Sequence, residues 1–501
     1  MNKILYNKNI YFFYFKKQYY SIYRLDNNYK LVCKTDLNFF QSLIGNKNVI
    51  YSENFYNSKT NNVYNINNLK DNKLYYKTVL FPESYPQIIE ILKYCNENKI
   101  AINTKSINKN LFDYYCLNYD EIVINICKFN KIISVNELSS IIHLQSGVLI
   151  KTLNEYLLNK CYMTLINDSL RRHNLIGEVL SKNHAISPKY NEIKKHIKGI
   201  KAILPNGDII DNLNALPKNN TGYDLKQLFI GSKGCAGIIT ECLIDIVKIP
   251  LYSKLYMISA NSLYKLLDLH KELFDKFNSQ LFNSIYYFDT EAMFFQKKII
   301  NNKELEYLGT KKHFVIIDIK SNSENEIDEI NNFFCNLCNN NNKSEYSYLT
   351  DSNLNNKNFI LYCRDNLDNI NNIALSYTIC NVQISTNDYE YIIEILSDIC
   401  MEYSLDIISY GDLNLNTIIL KIIDKKINSL KQETNKNKLY LNNINNIFKN
   451  KYQVIKYNNL GIIDFYINRL VNQINNTLCI TKEIKHTLDP NNILNRNKFL
   501  I

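Results

Sequence analysis

Glycine and proline are scarce in this chain, 12 and 7 of 501 residues, against usual shares of about 7% and 5%. So few turn-formers exclude a collagen-like or linker-rich chain, and they make any cluster of glycines informative. Tryptophan is absent. No run approaches the ~18 consecutive apolar residues of a membrane-spanning helix, which excludes such a helix from the sequence. The 13 cysteines are odd in number and irregularly spaced. With no secretory signal they fit a reducing compartment better than a disulfide framework. One CxxC occurs, Cys335 and Cys338, and without a second pair it falls short of a structural zinc set.

The chain is instead rich in Asn, 80 residues, and Tyr, 39, and carries a net charge of +11. An Asn, Lys, Ile and Tyr load of this kind follows from AT-rich coding as readily as from selection, so charge alone admits two readings. One is solubility plus compositional drift. The other is an acidic partner such as RNA or an anionic membrane surface. The same pair of readings, solvated face or binding patch, applies to the basic cluster Lys189, Lys194, Lys195, His196, Lys198 and Lys201. With 46% hydrophobic residues there is ample material for a core, and the length corresponds to two to four domains at ~100–200 residues each.

The first 25 residues contain Lys3, Lys8, Lys16, Lys17 and Arg24, no carboxylate, and the aromatic run Tyr11 to Phe15. Basic, acid-free and apolar, they read as a mitochondrial-type targeting segment; an aromatic first strand is the alternative. From Thr78 onward the text is regular. Ser84 can cap a helix that places Ile88, Ile89, Ile91, Leu92 and Cys95 on one face. Ile100–Ile102 and Glu121–Ile126 read as strands. Gly199–Leu204 and Ile209-Ile210 flank an Asn206-Gly207 turn, which predicts a hairpin. The Asn-rich tracts 322–343, 351–358 and 430–450 read as surface insertions or loops, because they offer little apolar surface. Helices, strands and hairpins in this mixture indicate an α+β protein.

The most specific text runs from Asn220, Thr221, Gly222, Tyr223 and Asp224 through Gly231, Ser232, Gly234, Gly237, Ile238 and Ile239 to Thr240. It resembles the flavin-contacting segment of the FAD-linked oxidases of the D-2-hydroxyglutarate and D-lactate dehydrogenase type. Ile91–Glu97, Asp120–Val123 and Leu488–Asn495 resemble other parts of the same family, in the same order. The resemblance implies a PCMH-type FAD-binding domain in two parts over 26–250, an α+β substrate domain over 251–455, and a segment 456–501 that returns to the flavin domain. It also implies FAD as cofactor, with the residues quoted above from Asn220 to Ile239 (Tyr223 apart) as its contacts.

The departures from that family are selective. Counted back from Asp120, the glycine positions of the loop that cradles the FAD diphosphate hold Ser106, Ile107, Asn110, Asp113 and Tyr114. Glycine serves there because successive backbone N–H groups must converge on phosphate oxygens with φ > 0. Ile107 is ill suited to that conformation, Asp113 adds negative charge, and Lys105 and Lys109 supply charge but not geometry. After Gly177, the residues Lys182, Asn183, His184 and Ala185 replace a second glycine-containing run. The metal positions read Ser409, Asp412 and Asn416, with Tyr457 at the Glu position; hydroxyl and amide do not replace two imidazoles, and no metal is expected. Of the substrate-carboxylate set Arg364 survives, while the other positions are Asp368 and Ile379. Arg364 can fork to a carboxylate or pair with Asp368. His143 and His270 sit in apolar runs and read as packing residues; His173 and His184 lie near the second flavin-facing run.

Two functions follow. In the first, the chain is a pseudoenzyme in which cofactor, metal and substrate sets have degenerated and the fold serves as a scaffold or subunit, for example of a mitochondrial complex. In the second, it is an active FAD-dependent oxidoreductase that oxidises a D-2-hydroxy acid by hydride transfer to the flavin. Retention of Gly222, Gly231, Gly234 and Gly237 shows that glycine loss is not uniform, as drift alone would make it.

Overall fold

The computed structural model describes residues 29–51, 78–104, 121–166, 175–182, 185–187, 191–214, 222–297, 312–340, 346–352, 354–365, 378–403, 405–413, 417–423, 453–459, 462–468 and 474–496. They form helices packed on three main sheets, the α+β architecture expected.

The first sheet holds β1 (Val49–Tyr51), β2 (Thr78–Leu80), β3 (Ile102–Thr104) and β4 (Ile122–Ile124) in the order β1-β2-β4-β3. β2, β4 and β3 run parallel and β1 antiparallel. Helices α1 (Lys34–Ile44) and α2 (Tyr85–Glu97) pack on it. Of the expected apolar face of α2, Ile88, Ile91, Leu92 and Cys95 are buried, while Ile89 is only half-buried at its edge. Ser84 occupies the cap position but makes no capping hydrogen bond; the Glu83 N–H is instead taken by the Gln87 Oε1 at 2.7 Å. β3 starts two residues later than the apolar text suggests, because Ile100 still bonds back to the Cys95 carbonyl at 2.8 Å. Ile493 and Leu494 complete this core, with Leu494 bridged to Ile102.

The second sheet has the order β11-β10-β12-β6-β5, with β7 beside the far end of β12. Its strands are β5 (Ile132–Asn136), β6 (Ile141–Gln145), β7 (Tyr162–Thr164), β10 (Ile197–Ile203), β11 (Ile209–Asn212) and β12 (Ile238–Lys248). A two-stranded piece, β8 (Ala185–Ser187) with β9 (Asn191–Glu192), and helices α3 (Ile150–Leu158), α4 (Ile176–Lys182) and α5 (Lys226–Phe229) accompany it. The predicted hairpin is present: Ile203 pairs with Ile209, and Gly207 takes the positive φ of +89° that its turn requires.

The third sheet has nine strands in the order β16-β13-β15-β14-β18-β19-β17-β21-β20. They are β13 (Tyr252–Ala260), β14 (Phe282–Asp289), β15 (His313–Ser321), β16 (Tyr346–Thr350), β17 (Thr378–Ser385), β18 (Asp406–Asp412), β19 (Thr417–Ile423), β20 (Gln453–Asn459) and β21 (Ile462–Asn468). Alternation along β13 serves both faces. Tyr256 and Ile258 join one core with residues of α6 (Leu263–Lys276), α8 (Glu324–Asn340) and α10 (Tyr389–Tyr403), while Leu255 and Met257 join another with α7 (Thr290–Lys297) and α9 (Leu354–Asp365). A last helix, α11 (Ile474–Leu488), leads to the 489–496 segment. The expectation of loops over the Asn-rich tracts is overturned for 324–340 and 354–358. Ile327, Ile330 and Phe334 recur at helical spacing and are buried, Phe333 and Leu337 pack beside them, and Asn, Glu and Asp fill most of the remaining positions of α8. Residues 430–450 lie outside the described residues.

Candidate flavin site

The turn between α5 and β12 is built from three residues in the left-handed region, Gly231 (φ +83°), Lys233 (+52°) and Gly234 (+75°). It hangs from the end of α4: Gly231 N–H donates to the Leu180 carbonyl at 3.0 Å and Lys233 N–H to the Ser181 carbonyl at 2.7 Å. A side chain at Gly234 would strike Thr104 Oγ1 and Asn495 Nδ2. One at Gly237 would stand 2.8 Å from the Ile203 carbonyl. Ile238 and Ile239 open β12 and are buried on opposite sides, one in the core of the first sheet and the other in that of the second. The turn therefore sits where the two sheets meet.

Ser232 is 4% exposed, and its hydroxyl has no hydrogen-bond partner among the described residues. An unsatisfied buried donor is costly and rare, and a flavin ligand is the kind of group that would satisfy it. At this end the residues fit FAD. Of the other expected contacts, Gly222 has φ +100° and Asp224 is exposed, bonded to Lys226 at 2.6 Å and Gln227 at 3.2 Å. Asn220 and Thr221 lie outside the described residues, as do Lys105 to Asp120, Asn183, His173, His184 and Lys189.

Of the positions expected for substrate and metal, the described ones lie in the third sheet and on α9, which packs on it. Arg364 and Ile379 stand on α9 and β17; Asp368 and the Arg364 side chain are not among the described groups. Ser409 and Asp412 stand on β18 and Asn416 outside the description. Tyr457 is on β20, four strands from β18 in the order of the sheet. Ser409 is committed elsewhere. Its N–H donates to Asp289 Oδ2 at 2.6 Å and its hydroxyl bonds to the Tyr389 hydroxyl at 3.2 Å. Tyr389 in turn meets Tyr287 at 3.3 Å, and Tyr287 meets His313 Nδ1 at 2.8 Å. Burial pushes the Asp289 carboxyl up to about 7, against the pull of the Ala292 and Ser409 N–H groups. Burial and then the Lys312 charge push His313 down to about 4. Among the described residues, no group of three His, Cys, Asp or Glu side chains is placed to hold a metal. Cys335 faces the Tyr348 hydroxyl at 3.4 Å on α8.

His143 does more than pack. Its Nε2 lies 2.7 Å from Glu241 Oε2, and the other carboxylate oxygen of Glu241 accepts from the Tyr85 hydroxyl. His270 packs on Phe274, ring centroids 4.5 Å apart. In the basic cluster, Lys198 and His196 face Asp245 and Lys201 pairs with Asp211 at 3.0 Å. The sequence carried no signal for Asp289, His313 or Glu241: Ser409, Tyr287 and Tyr85, which they respectively meet, stand 120, 26 and 156 positions away in the chain.

Residues 76–212 match the model of the FAD binding domain. Over 215 residues the chain is 30% identical to the D-2-hydroxyglutarate–pyruvate transhydrogenase of Saccharomyces cerevisiae, covering 42% of this chain and 43% of that one. Over 238 residues it is 32% identical to a putative mitochondrial D-lactate dehydrogenase of Schizosaccharomyces pombe, covering 47% and 45%. The chain thus matches under half the length of these curated relatives. Among solved structures, 4-ethylphenol oxidase from Gulosibacter chungangensis superposes with a TM-score of 0.67 at 14% identity, covering 93% of this chain and 97% of that one. The chain accordingly carries a FAD binding domain and has the fold of the FAD-linked oxidases.

Proposed function

We propose that this protein is a degenerate homologue of the FAD-dependent D-2-hydroxy-acid dehydrogenases, retained as a scaffold or subunit in mitochondria and inactive toward 2-hydroxy acids. The observation that carries this reading is Ser409. At the position where the resemblance calls for a metal-binding imidazole, its N–H and hydroxyl are spent on Asp289 and Tyr389 inside a buried network. Arg364 is left of its substrate set, and the diphosphate positions Ser106, Ile107, Asn110, Asp113 and Tyr114 lack glycine. Several charge-assisted hydrogen bonds at ~1.5–3 kcal/mol each amount to a deficit on the order of 5 kcal/mol, or more than a thousandfold in affinity. The basic, acid-free first 25 residues and the mitochondrial relative support the location.

A second reading, an active oxidoreductase, is favoured by the intact 231–240 turn and the unspent Ser232 hydroxyl. When bound, FAD supplies a hydride acceptor. The chain's contribution is to hold it at the 231–240 turn, with the Ser232 hydroxyl as donor, since the Gly231 and Ser232 N–H groups already bond to the Leu180 and Phe229 carbonyls.

FAD titration into the purified protein, followed by flavin fluorescence, tests both, with metal content measured on the same sample. The expected result is a colourless protein that binds FAD in the micromolar range or weaker, holds no stoichiometric metal, and does not oxidise D-2-hydroxyglutarate or D-lactate. Stoichiometric sub-micromolar FAD with turnover of either acid establishes the second reading instead.

A further inference from the structure

We infer that Asn495 is a positioning residue for the flavin turn and that FAD affinity depends on it; this rests on FAD binding, however weak, at residues 231–240. Asn495 is 1% exposed and holds two segments, the end of β3 and the turn, against its own. Its Nδ2 donates to Thr104 Oγ1 at 2.6 Å and to the Lys233 carbonyl at 3.0 Å, and its Oδ1 accepts the Thr104 N–H at 2.9 Å. Its own N–H donates to the Ile102 carbonyl at 2.8 Å, and its carbonyl accepts from the Cys235 thiol at 3.3 Å.

What it grips is the strained part of the turn. Lys233 and Gly234 both have positive φ, and Lys233 is the residue after Ser232, whose hydroxyl is the unspent donor. Gly234 allows the approach, because any side chain there would occupy the place of the Asn495 amide. Thr104, the other partner, ends β3. One planar amide therefore fixes the turn relative to the last described residue before Lys105. A residue in the left-handed region costs free energy unless its surroundings hold it, and here the amide holds the Lys233 carbonyl directly.

Asn495 is itself held firmly. Asp489 accepts the Ile493 N–H at 3.0 Å and the Leu494 N–H at 2.9 Å. Lys485 pairs with Asp489 and donates to the Cys235 carbonyl at 2.9 Å and to the Leu494 carbonyl at 2.8 Å. The 489–496 segment and the turn are thus joined at two points, by Lys485 and by Asn495. Asn495 alone also reaches Thr104.

The test compares the full-length chain with Asn495→Ala and Asn495→Asp, reading the FAD Kd by fluorescence, the melting midpoint without FAD, and hydrogen exchange at the Thr104 amide. Phe334→Ala serves as a purely structural control in the third sheet. The expected result is a tenfold or greater rise in Kd for Asn495→Ala and faster exchange at Thr104. Asn495→Asp, which still accepts the Thr104 N–H but cannot donate to Lys233, should protect Thr104 while raising Kd. Phe334→Ala should lower the midpoint and leave Kd unchanged. A folded Asn495→Ala protein that binds FAD as the parent does, or a Kd that merely follows the midpoint in all three variants, overturns the inference. Failure of the parent chain to bind FAD at any concentration defeats the flavin reading itself, a result distinct from unchanged affinity in the variants.

Discussion

Asp289 and His313 titrate in opposite senses within one hydrogen-bonded chain. Asp289 holds its proton more tightly in the folded protein, at about 7 against an ordinary 3.8. The stability this gives is full below pH ~4 and is lost as pH rises through 7. His313 is depressed to about 4 from 6.5, so its contribution is full above 6.5 and is lost as pH falls through 4. Between pH 4 and 6.5 the two slopes oppose one another. Glu291 and Lys312 are the charged neighbours that push each group further from its ordinary value. His313→Gln should therefore unmask a stability that falls with pH between 4 and 7, by at most about 1.4 kcal/mol per unit. Asp289→Asn should unmask one that rises between 4 and 6.5. Urea midpoints across this range check both, and parallel profiles for the two variants would refute the assignment.

At the scale of elements, α8 shows how far local text can mislead. Glu324–Asn340 reads as polar low-complexity sequence, yet Ile327, Ile330 and Phe334 meet the third sheet, and Asn331 accepts from the Tyr256 hydroxyl at 2.9 Å. A few apolar residues at helical spacing, with Phe333 and Leu337 packed beside them, suffice when a sheet is present to receive them, and the sheet is encoded elsewhere. By contrast, α2, the 203–209 hairpin and the 231–240 turn were legible, because each depends on residues close in sequence: an apolar face, an Asn-Gly pair, a group of glycines. The network at Ser409 was not, since its members come from β14, β15, α10 and β18. Phe334 is fully buried and packs on Tyr256 with ring centroids 4.6 Å apart. Phe334→Ala should cost about 3–5 kcal/mol, read as a lower denaturant midpoint; a change under 1 kcal/mol would mean that α8 does not dock.

Across the whole molecule, the first and second sheets are tied together by Glu241, which is 8% exposed. It takes the hydroxyl of Tyr85 from the first residue of α2 and faces His143 on β6. Burial, and then Glu241 itself, raises the Tyr85 hydroxyl well above its ordinary range, so the phenol remains a donor at all working pH. Tyr85→Phe keeps the edge contact with Phe129, centroids 5.3 Å apart, and removes the bond to Glu241 together with the hydroxyl's contacts to Thr240 and Gln145. A loss of about 1–3 kcal/mol is expected, measured by chemical denaturation. An unchanged midpoint would show that the sheets meet through apolar packing alone.

The placement of Ile493 and Leu494 in the core of the first sheet has a consequence for biosynthesis. Thr104 and Asn495 are 391 positions apart. At ~5–20 residues per second, the ribosome needs roughly 20–80 s to make what lies between them. Throughout that interval the earliest sheet is incomplete, its edge strand β3 lacking the partner that Leu494 supplies, while the hairpin and the nine-stranded sheet are still emerging. Exposed strand edges of this kind invite wrong pairings. The nascent chain is therefore a client for chaperones until its last described residues arrive, and the first part of the domain to be translated is among the last to be finished.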